Sequence, residues 1–279
     1  MGIKLVIVLV LYQQKLTECE SYATLSECLS DPKVGLFIYD NSPQAHTDLL
    51  MQRDNVCYIH NKDNPGLAQA YNSGAEWLRA CGGSLLLLLD QDTVIPMSFV
   101  QSLLALSHEE LEGVGAVVPV VYSSGQQISP VFSQQYVSAS RTFPEVGTTD
   151  QRVMAINSGT ALTPAGLTAL GAFNQQFPLD FLDHWIFWRL NQAHLKISVL
   201  PQRLKHDLSV LDYSRVSVQR YESIISAETL FYTVYDREKR ELHIRHLRKR
   251  LLKQFLLVKN RAIWRRTWKE YRQLVRDER

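Results

Sequence analysis

The sequence contains four cysteines among 279 residues, and no two of them stand in a Cys-x-x-Cys spacing. Neither a zinc site nor a disulfide framework is therefore indicated, and we expect reduced thiols in a cytoplasmic protein. The apolar segment at the N-terminus is too short to span a membrane and lacks a small-residue cleavage site, and no other stretch approaches the length of a transmembrane helix. We therefore expect this segment to be a buried strand.

The composition is that of a globular protein, but the charge is unevenly distributed. Hydrophobic residues make up 46% of the chain and charged residues 21%, which is ordinary for a folded domain with a substantial core. Residues 237–279 hold 16 Lys and Arg against 5 Asp and Glu, whereas the preceding residues hold 14 against 23. The chain is thus an acidic body with a basic tail, and the two parts should meet different partners.

Apolar runs and helical patterns alternate along the first hundred residues. This alternation predicts parallel βαβ units in an α/β fold. The predicted strands are Leu5–Leu11, Val34–Tyr39, Val56–Ile59 and the leucine run from Leu85. The predicted helices are Glu18–Leu29, Thr47–Arg53, Leu67–Ala80 and one that starts near Pro96.

Beyond residue 100 the pattern is less regular. Residues 123–150 are rich in Ser, Gln, Thr, Pro and Gly, which predicts a long loop or an irregular hairpin. Further strands are predicted at Val114–Tyr122, Asn157–Leu162 and Ile197–Leu200, and helices at Leu167–Leu170 and Phe181–Ala193.

The leucine run ends in two carboxylates, Asp90 and Asp92, with no lysine or arginine within ten residues on either side. A short, wholly apolar run is typical of a strand buried on both faces, and its end lies where open α/β sheets bind ligands. Two unneutralised carboxylates favour a divalent cation that carries a substrate phosphate. The alternative is a polar strand end that caps the next helix.

Polar residues follow three of the predicted strands: Asp40-Asn41, Asn64-Pro65-Gly66 and Asp90-Gln91-Asp92. In a doubly wound sheet these strand ends form one crevice. Asn72 lies on the helix that begins after Gly66, and the N-terminus of that helix can face an anionic group.

The ordered motifs resemble those of the family 2 glycosyltransferases, and within them the rhamnosyltransferase-like branch that makes bacterial polysaccharides. The resemblance covers about residues 3 to 210. It is carried by the three strand-end motifs, the continuation Leu67-Ala68-x-Ala70-x-Asn72-x-Gly74, Asn157-Ser158-Gly159-Thr160, Gly171-Ala172-Phe173-Asn174 and Pro178-Leu179-Asp180-Phe181-Leu182-Asp183.

The resemblance implies a GT-A fold over residues 1–215, a dTDP- or UDP-linked sugar as donor, a Mn²⁺ or Mg²⁺ ion, and inversion at the anomeric carbon. Asp183 would be the general base that deprotonates the acceptor hydroxyl. Asp90, Asp92 and His206 would hold the metal, which offsets charge on the departing diphosphate. The donor would be bound by Asp40, Asn41, Asn64, Gly66, Asn72, Asp90 and Asp92.

The acceptor site departs from the family pattern. Trp185 stands where relatives often carry an acidic residue, two positions after the base. An aromatic ring there can stack on an acceptor sugar, so we expect Trp185 and Asp180 to contact the acceptor. The alternative places Trp185 in the core.

Two other functions fit parts of the sequence. In aspartyl-phosphate phosphatases the first Asp of an Asp-x-Asp pair is the nucleophile, which Asp90 can match. That class also needs a later lysine and a strand-borne acidic pair for Mg²⁺, and Asp180 and Asp183 do not follow an apolar strand. A non-catalytic nucleotide-sugar-binding protein is the other alternative.

The basic tail, residues 216–279, is predicted to be helical. From Leu247 the apolar positions Leu251, Phe255, Val258 and Ala262 recur every three to four residues among arginines and lysines. Leu252, Leu256 and Ile263 lie beside them, and Trp264, Trp268 and Tyr271 add amphipathic aromatic side chains. This pattern favours a helix in the headgroup layer of an anionic membrane, at the inner face of the plasma membrane, where a lipid-linked acceptor would be found. The alternative is a helix packed on the protein itself or on a partner. No nucleic-acid motif accompanies the charge.

Overall fold

A computed structural model describes residues 2–137, 142–206, 217–258 and 260–276 of the chain. The chain divides into two units. The first comprises Met1–Gln134 and Arg141–Asp207, and the second comprises Gln135–Ser140 and Leu208–Arg279. The predicted domain border between residues 215 and 216 lies outside the described residues.

A mixed, mostly parallel sheet forms the centre of the first unit. Among the described residues it has ten strands in the order β3-β2-β1-β4-β11-β6-β12-β5, with β7 paired to β6 and β9 paired to β12. A separate antiparallel pair joins β8 and β10. The strands are β1 Leu5–Leu11, β2 Val34–Asp40, β3 Val56–His60, β4 Leu85–Asp90, β5 Thr93–Val94, β6 Val114–Ser123, β7 Gln126–Ser129, β8 Val131–Phe132, β9 Gly147–Thr149, β10 Val153–Met154, β11 Ala161–Leu162 and β12 Lys196–His206.

Helices connect the strands of the first unit. They are α1 Tyr22–Cys28, α2 Leu67–Ala80, α3 Met97–Ala105, α4 Pro164–Leu170 and α5 Leu182–Gln192, with 3₁₀ turns at Leu16–Glu18 and Leu49–Gln52. This architecture confirms the predicted α/β fold. The apolar strands β1, β2 and β4 pair in parallel, and every residue of β1 and β2 is buried. Burial on both faces explains why these strands read as continuous apolar runs.

Two predicted helices are shorter than expected. The segment Glu18–Leu29 divides into the 3₁₀ turn and α1, because tertiary bonds hold the residues between them. Glu20 donates its backbone N–H to the carbonyl of Gln91 at 3.2 Å, and the Ser21 hydroxyl donates to the carbonyl of Thr93 at 2.5 Å. The second predicted helix, Thr47–Arg53, is reduced to its 3₁₀ turn.

Two predicted strands also differ in length. The predicted strand Asn157–Leu162 is confined to β11, because Gly159 has a φ of +91° and Thr160 donates back to the carbonyl of Asn157 at 2.9 Å. β11 lies between β4 and β6 and runs antiparallel to both. The last strand, predicted to end at Leu200, continues to His206 across a shift of register between Val199 and Arg203.

The second unit is helical. Its helices are α6 Val218–Leu230, α7 Arg240–Leu257 and α8 Arg261–Arg276, with a π-helical stretch at Phe231–Tyr235. Tyr221, Ile225, Leu247, Ile263 and Leu274 form its core. The continuous helix predicted from Leu247 through Ala262 is wrong, because α7 ends at Leu257 and the backbone of Val258 is extended. Among the described residues, no helix combines the length and the apolar composition needed to cross a membrane.

Candidate functional site

An acidic cluster with one imidazole lies at the carboxyl end of β4. Asp90 ends β4, Asp92 follows in the turn, and His206 ends β12. The turn and the strand meet because β5 pairs antiparallel with β12, which places Thr93 opposite His206. One candidate ligand atom from each of Asp90, Asp92 and His206 lies within 4.8 Å of the other two. The structure thus brings together the three residues that were predicted as metal ligands.

Electrostatics in this cluster favour a cation. Burial raises the pKa of Asp90 to about 6, and the carboxylates of Asp92 and Asp183 act in the same direction. The neighbouring His206 and a hydrogen bond from the Tyr71 hydroxyl, 3.4 Å from Oδ1 of Asp90, oppose this rise. A bound divalent cation would favour the ionised carboxylate far more than these groups do. Two carboxylates and an imidazole are a donor set that suits Mn²⁺ or Mg²⁺.

Two buried hydroxyls connect the members of the cluster. Ser158 accepts a hydrogen bond from the backbone N–H of Asp90 at 2.9 Å, and its Oγ lies 2.6 Å from Oγ1 of Thr93. Oγ1 of Thr93 lies 2.8 Å from Nδ1 of His206, and that nitrogen is 3.4 Å from Oδ1 of Asp92. Thr93 and Ser158 thus connect His206 to the end of β4 at Asp90 through hydrogen bonds. The sequence motifs included Ser158, but neither hydroxyl was predicted as part of the site.

The carboxylate of Asp40 organises the turn after β2. Asp40 is fully buried and accepts hydrogen bonds from the backbone N–H of Ser42, the Tyr58 hydroxyl and Nδ1 of His46, at 2.8 to 2.9 Å. Burial raises the pKa of Asp40, but these hydrogen bonds outweigh it and the net pKa is lowered. The ionised side chain is therefore engaged by the protein's own groups, and its contact with a donor base stays a prediction.

Two asparagines near the strand ends carry buried acceptors without a hydrogen bond. Asn41 exposes 3% of its surface and Asn157 exposes 8%, and the Oδ1 atom of each has no partner among the described residues. A buried carbonyl oxygen left unsatisfied costs free energy, which a bound ligand with an N–H or O–H group can recover. Asn41 was predicted to bind the donor. Asn157 was not, although its motif was recognised.

The Asn64-Pro65-Gly66 turn is fastened to the loop that precedes α5. Asn64 and Gly66 have φ values of +46° and +92°, and a Cβ on Gly66 would lie 2.3 Å from the carbonyl oxygen of Pro178. The backbone N–H of Leu67, the first residue of α2, donates to that same oxygen at 2.6 Å. Only glycine fits this close approach, and one N–H at the start of α2 is already engaged.

Helix α2 also holds the loop around Phe173. The side-chain amide of Asn72 donates to the carbonyl of Phe173 at 3.0 Å, and its Oδ1 accepts from the Phe173 N–H at 2.8 Å. The ring centroid of Tyr71, the residue before Asn72, lies 5.3 Å from that of Phe173. Asn72 therefore positions a loop in this structure, and the predicted direct contact with the donor stays a prediction.

Asp183 lies in the first turn of α5, beside the acidic cluster. It is half-buried, and its Oδ1 accepts the backbone N–H of His184 at 2.8 Å. Its charge raises the pKa of both Asp90 and Tyr71, so it lies within electrostatic reach of the strand end. Asp180 precedes α5 and is also half-buried. Asp183 thus lies within electrostatic reach of the predicted metal ligands, and its role as the base stays a prediction.

Trp185 does not form the expected sugar platform. It exposes 6% of its surface and belongs to the buried face of α5, so stacking of its ring on an acceptor is wrong for this structure. The aromatic side chain lies in the core because α5 presents Trp185, Ile186 and Phe187 to it. Its Nε1 has no hydrogen-bond partner among the described residues.

Comparison with known proteins agrees with this fold. Residues 34–161 match the family described as "Glycosyl transferase family 2". The fold is similar to that of S. aureus TarS, at 17% identity and a TM-score of 0.56 over 98% of this chain and 49% of that one. A structure of TarS 1-349 in complex with UDP-GlcNAc gives 16% identity and a TM-score of 0.56 over 98% of this chain and 82% of that one. A search of curated proteins found no match.

A largely parallel sheet flanked by helices, with an acidic cluster at the carboxyl end of β4, defines a GT-A fold. The match over residues 34–161 confirms the resemblance to the family 2 glycosyltransferases. The chain spans about half of the longer TarS structure, and at this identity the likeness to TarS shows the fold.

Proposed function

We propose that this protein is an inverting, metal-dependent glycosyltransferase that uses a nucleoside-diphosphate sugar as donor. The observation that carries the proposal is the cluster of Asp90, Asp92 and His206, with Asp183 beside it, in a chain that matches the family. A bound Mn²⁺ or Mg²⁺ would supply Lewis-acid stabilisation of the diphosphate. Asp90, Asp92 and His206 are the residues that would hold it.

In this proposal Asp183 is the general base. A carboxylate oxygen of Asp183 accepts the proton of the acceptor hydroxyl as that oxygen bonds to the anomeric carbon, and the bond from this carbon to the diphosphate breaks. The donor lies along Asp40, Asn41, Asn64, Gly66 and the strand end at Asp90. Asp180 faces the acceptor, and we leave Trp185 out of that site because its ring is buried.

The substrates follow from the branch that the motifs resemble. We propose a dTDP- or UDP-linked donor that carries rhamnose or a similar sugar. The acceptor is a hydroxyl of a growing bacterial polysaccharide, such as O-antigen or capsule, carried on a lipid at the cytoplasmic face of the plasma membrane. The TarS complex with UDP-GlcNAc supports a nucleotide sugar as the class of donor. The helical second unit would bind the anionic membrane surface.

The phosphatase alternative gains no support from the site. Asp90 is surrounded by Asp92, Asp183 and His206, and the family match covers its strand. A non-catalytic nucleotide-sugar binder shares the donor site with the enzyme, so turnover rather than binding separates the two.

The test uses the full chain, stripped of metal by a chelator and then supplied with Mn²⁺ or Mg²⁺. A panel of nucleotide sugars is screened by thermal shift, and release of the nucleoside diphosphate is followed with the donors that stabilise the protein. We expect turnover only with metal. We expect Asp183→Asn to lower turnover by about 10²- to 10⁴-fold while donor binding is retained.

The matched control is Asp54→Asn, an exposed aspartate outside the site, which should leave turnover unchanged. If no nucleotide sugar stabilises the protein, the proposed donor class is wrong. If Asp183→Asn turns over the donor at the rate of the unaltered protein, Asp183 is not the base. Binding without turnover in the unaltered protein, with every donor and both metals, would indicate a non-catalytic binder.

A further inference from the structure

Part of the apolar pattern of the second unit faces that unit's own core. Leu247 and Ile263 are almost completely buried in that core, and Leu251 exposes 6% of its surface. These residues belong to the pattern that predicted a helix lying on a membrane. Any surface of this unit that binds a membrane must therefore be formed by residues that this core leaves exposed.

Such residues lie in the last two turns of α7. Leu252, Phe255, Leu256 and Leu257 expose 64%, 54%, 79% and 69% of their surfaces, and we name these four residues the apolar end of α7. Leu252, Phe255 and Leu256 are spaced by three and four residues, so they share one face of the helix. Isolated exposed leucines are ordinary, but a contiguous apolar patch of this kind marks an interaction surface.

Aromatic residues of α8 continue from the apolar end of α7. The ring of Phe255 lies 5.9 Å from that of Trp264, Trp264 lies 6.1 Å from Trp268, and Trp268 lies 6.0 Å from Tyr271. Tryptophan and tyrosine have an apolar body and a polar tip, which suits the boundary between lipid headgroups and acyl chains. Arg261 lies over the Phe255 ring, 4.8 Å from its centroid, and so places a cation at the same boundary.

The surface around the apolar end of α7 is strongly positive, which favours an anionic partner. Residues 249–276 contain ten Lys and Arg and one acidic residue, Glu270, which pairs with Arg266. A recess of about 430 Å³ on α8 is lined by Trp268, Lys269, Arg272, Gln273 and Arg276. The exposed cations are Lys249, Lys253, Arg261, Arg265, Lys269, Arg272 and Arg276.

This combination distinguishes an anionic lipid surface from other partners. A second copy of the chain that docked through this same surface would bring the same positive charges against these and be repelled. A nucleic acid would use the cations and leave the leucines in water. Phosphate headgroups above an acyl layer satisfy both the cations and the leucines.

We propose that the apolar end of α7 inserts into the acyl boundary of an anionic membrane while the cations of α7 and α8 bind its headgroups. This inference rests on the proposed function for the reason why the protein binds a membrane, which is to bring the enzyme to a lipid-linked acceptor. The residues of the membrane-binding surface are identified only from their exposure in the second unit. Lys249 and Lys253 flank Leu252 on α7, so their long side chains can extend to headgroups while the leucine enters the lipid.

The experiment is cosedimentation of the full chain with vesicles of phosphatidylcholine alone or with about a third phosphatidylglycerol. We expect binding to the anionic vesicles, weakened by high salt, and a shift of tryptophan fluorescence to shorter wavelength. The double variant Leu252→Ser/Leu256→Ser replaces two exposed side chains, so folding should be kept. We expect it to bind about tenfold more weakly or worse.

The matched control is Leu49→Ser, because Leu49 exposes 79% of its surface in the first unit. This variant should bind vesicles like the unaltered protein. Equal binding to neutral vesicles, or unchanged binding by the double variant, would overturn the proposal. So would self-association in sedimentation equilibrium that the double variant abolishes while no vesicle binding is seen. Release of nucleoside diphosphate without vesicles is measured in parallel, so a failed membrane test leaves the proposed transferase open to its own test.

Discussion

The Oγ1 hydroxyl of Thr93 lies 2.8 Å from Nδ1 of His206, at the start of a line of hydrogen bonds that ends at the backbone of Asp90. Both residues are buried. Ser158 completes the line, with its Oγ 2.6 Å from Thr93. Residues from three distant parts of the chain thus fix the orientation of a histidine that the proposed function uses as a metal ligand. Groups that orient a ligand in this way contribute measurably to metal affinity.

Replacing Thr93 by valine should weaken metal binding by about 10- to 100-fold, because the ring of His206 loses the hydroxyl that holds it. Calorimetric titration with Mn²⁺, in the presence of a nucleoside diphosphate, measures this affinity. Thr93→Ser keeps the hydroxyl and should bind Mn²⁺ nearly as well as the unaltered protein. Equal losses in both variants would indicate a packing defect and not a role for the hydroxyl.

Gly66 and Gly82 offer a matched pair of substitutions. Both have a positive φ, +92° and +68°, so alanine is strained at either position, and at Gly66 a ψ of −173° raises the backbone strain to about 1–3 kcal/mol. A Cβ on Gly66 would meet the carbonyl oxygen of Pro178, whereas a Cβ on Gly82 meets nothing within 4 Å. We expect Gly66→Ala to cost about 1–3 kcal/mol more in the free energy of unfolding, measured by denaturant titration. It should also weaken donor binding, and similar losses in the two variants would contradict the role of the contact.

The second unit should lose stability on mild acidification. Burial lowers the pKa of His243 to about 4. The charge of Glu228 raises this pKa, whereas the charges of Arg250, His246 and Arg240 lower it further. The folded unit therefore binds this proton less readily than the unfolded chain does. The stabilisation is complete above the ordinary histidine pKa of about 6.5 and is lost as the pH falls toward 4, by up to about 3 kcal/mol.

A second stage of acid destabilisation involves the ion pair at Glu228. Burial raises its pKa, but Arg250, which forms two hydrogen bonds at 2.6 and 2.7 Å, lowers it to about 2 overall. The stability that this pair contributes is present above pH 4.5 and disappears as the pH falls toward 2. Circular dichroism against denaturant at several pH values measures both stages. His243→Gln should flatten the dependence between pH 6.5 and 4, and the exposed control His108→Gln should leave it intact.

Local sequence patterns predicted the parts of the fold that are decided locally. Leu5–Leu11 and Leu67–Ala80 have the predicted bounds, because a continuous apolar run and a helix opened by Pro-Gly leave little choice. The helix predicted over Glu18–Leu29 is wrong at its start because Ser21 bonds to Thr93, 72 residues away. No periodicity within the segment can show that bond.

The same distinction applies to the site. Asp90, Asp92 and His206 were predicted together from the resemblance to the family 2 glycosyltransferases, and the structure brings them together. The hydroxyls of Thr93 and Ser158 were missed because their roles depend on the pairing of β5 with β12 and on the insertion of β11 beside β4. For Trp185 the sequence left open whether the ring contacts an acceptor sugar or packs in the core. The structure places it in the core, because it lies on the buried face of α5.

The contacts of Tyr136 determine where the chain can be cut to separate its two units. The chain passes into the helical unit at residues 135–140, returns, and enters it again after residue 207. In that unit the Tyr136 hydroxyl donates to Glu228 at 2.5 Å, and its ring stacks 4.7 Å from that of Tyr232. Cutting the chain after residue 207 would strand this tyrosine without its binding partners. The helical unit therefore includes a tyrosine from an earlier part of the chain, and a fragment that begins after residue 207 would lack the hydroxyl that donates to Glu228.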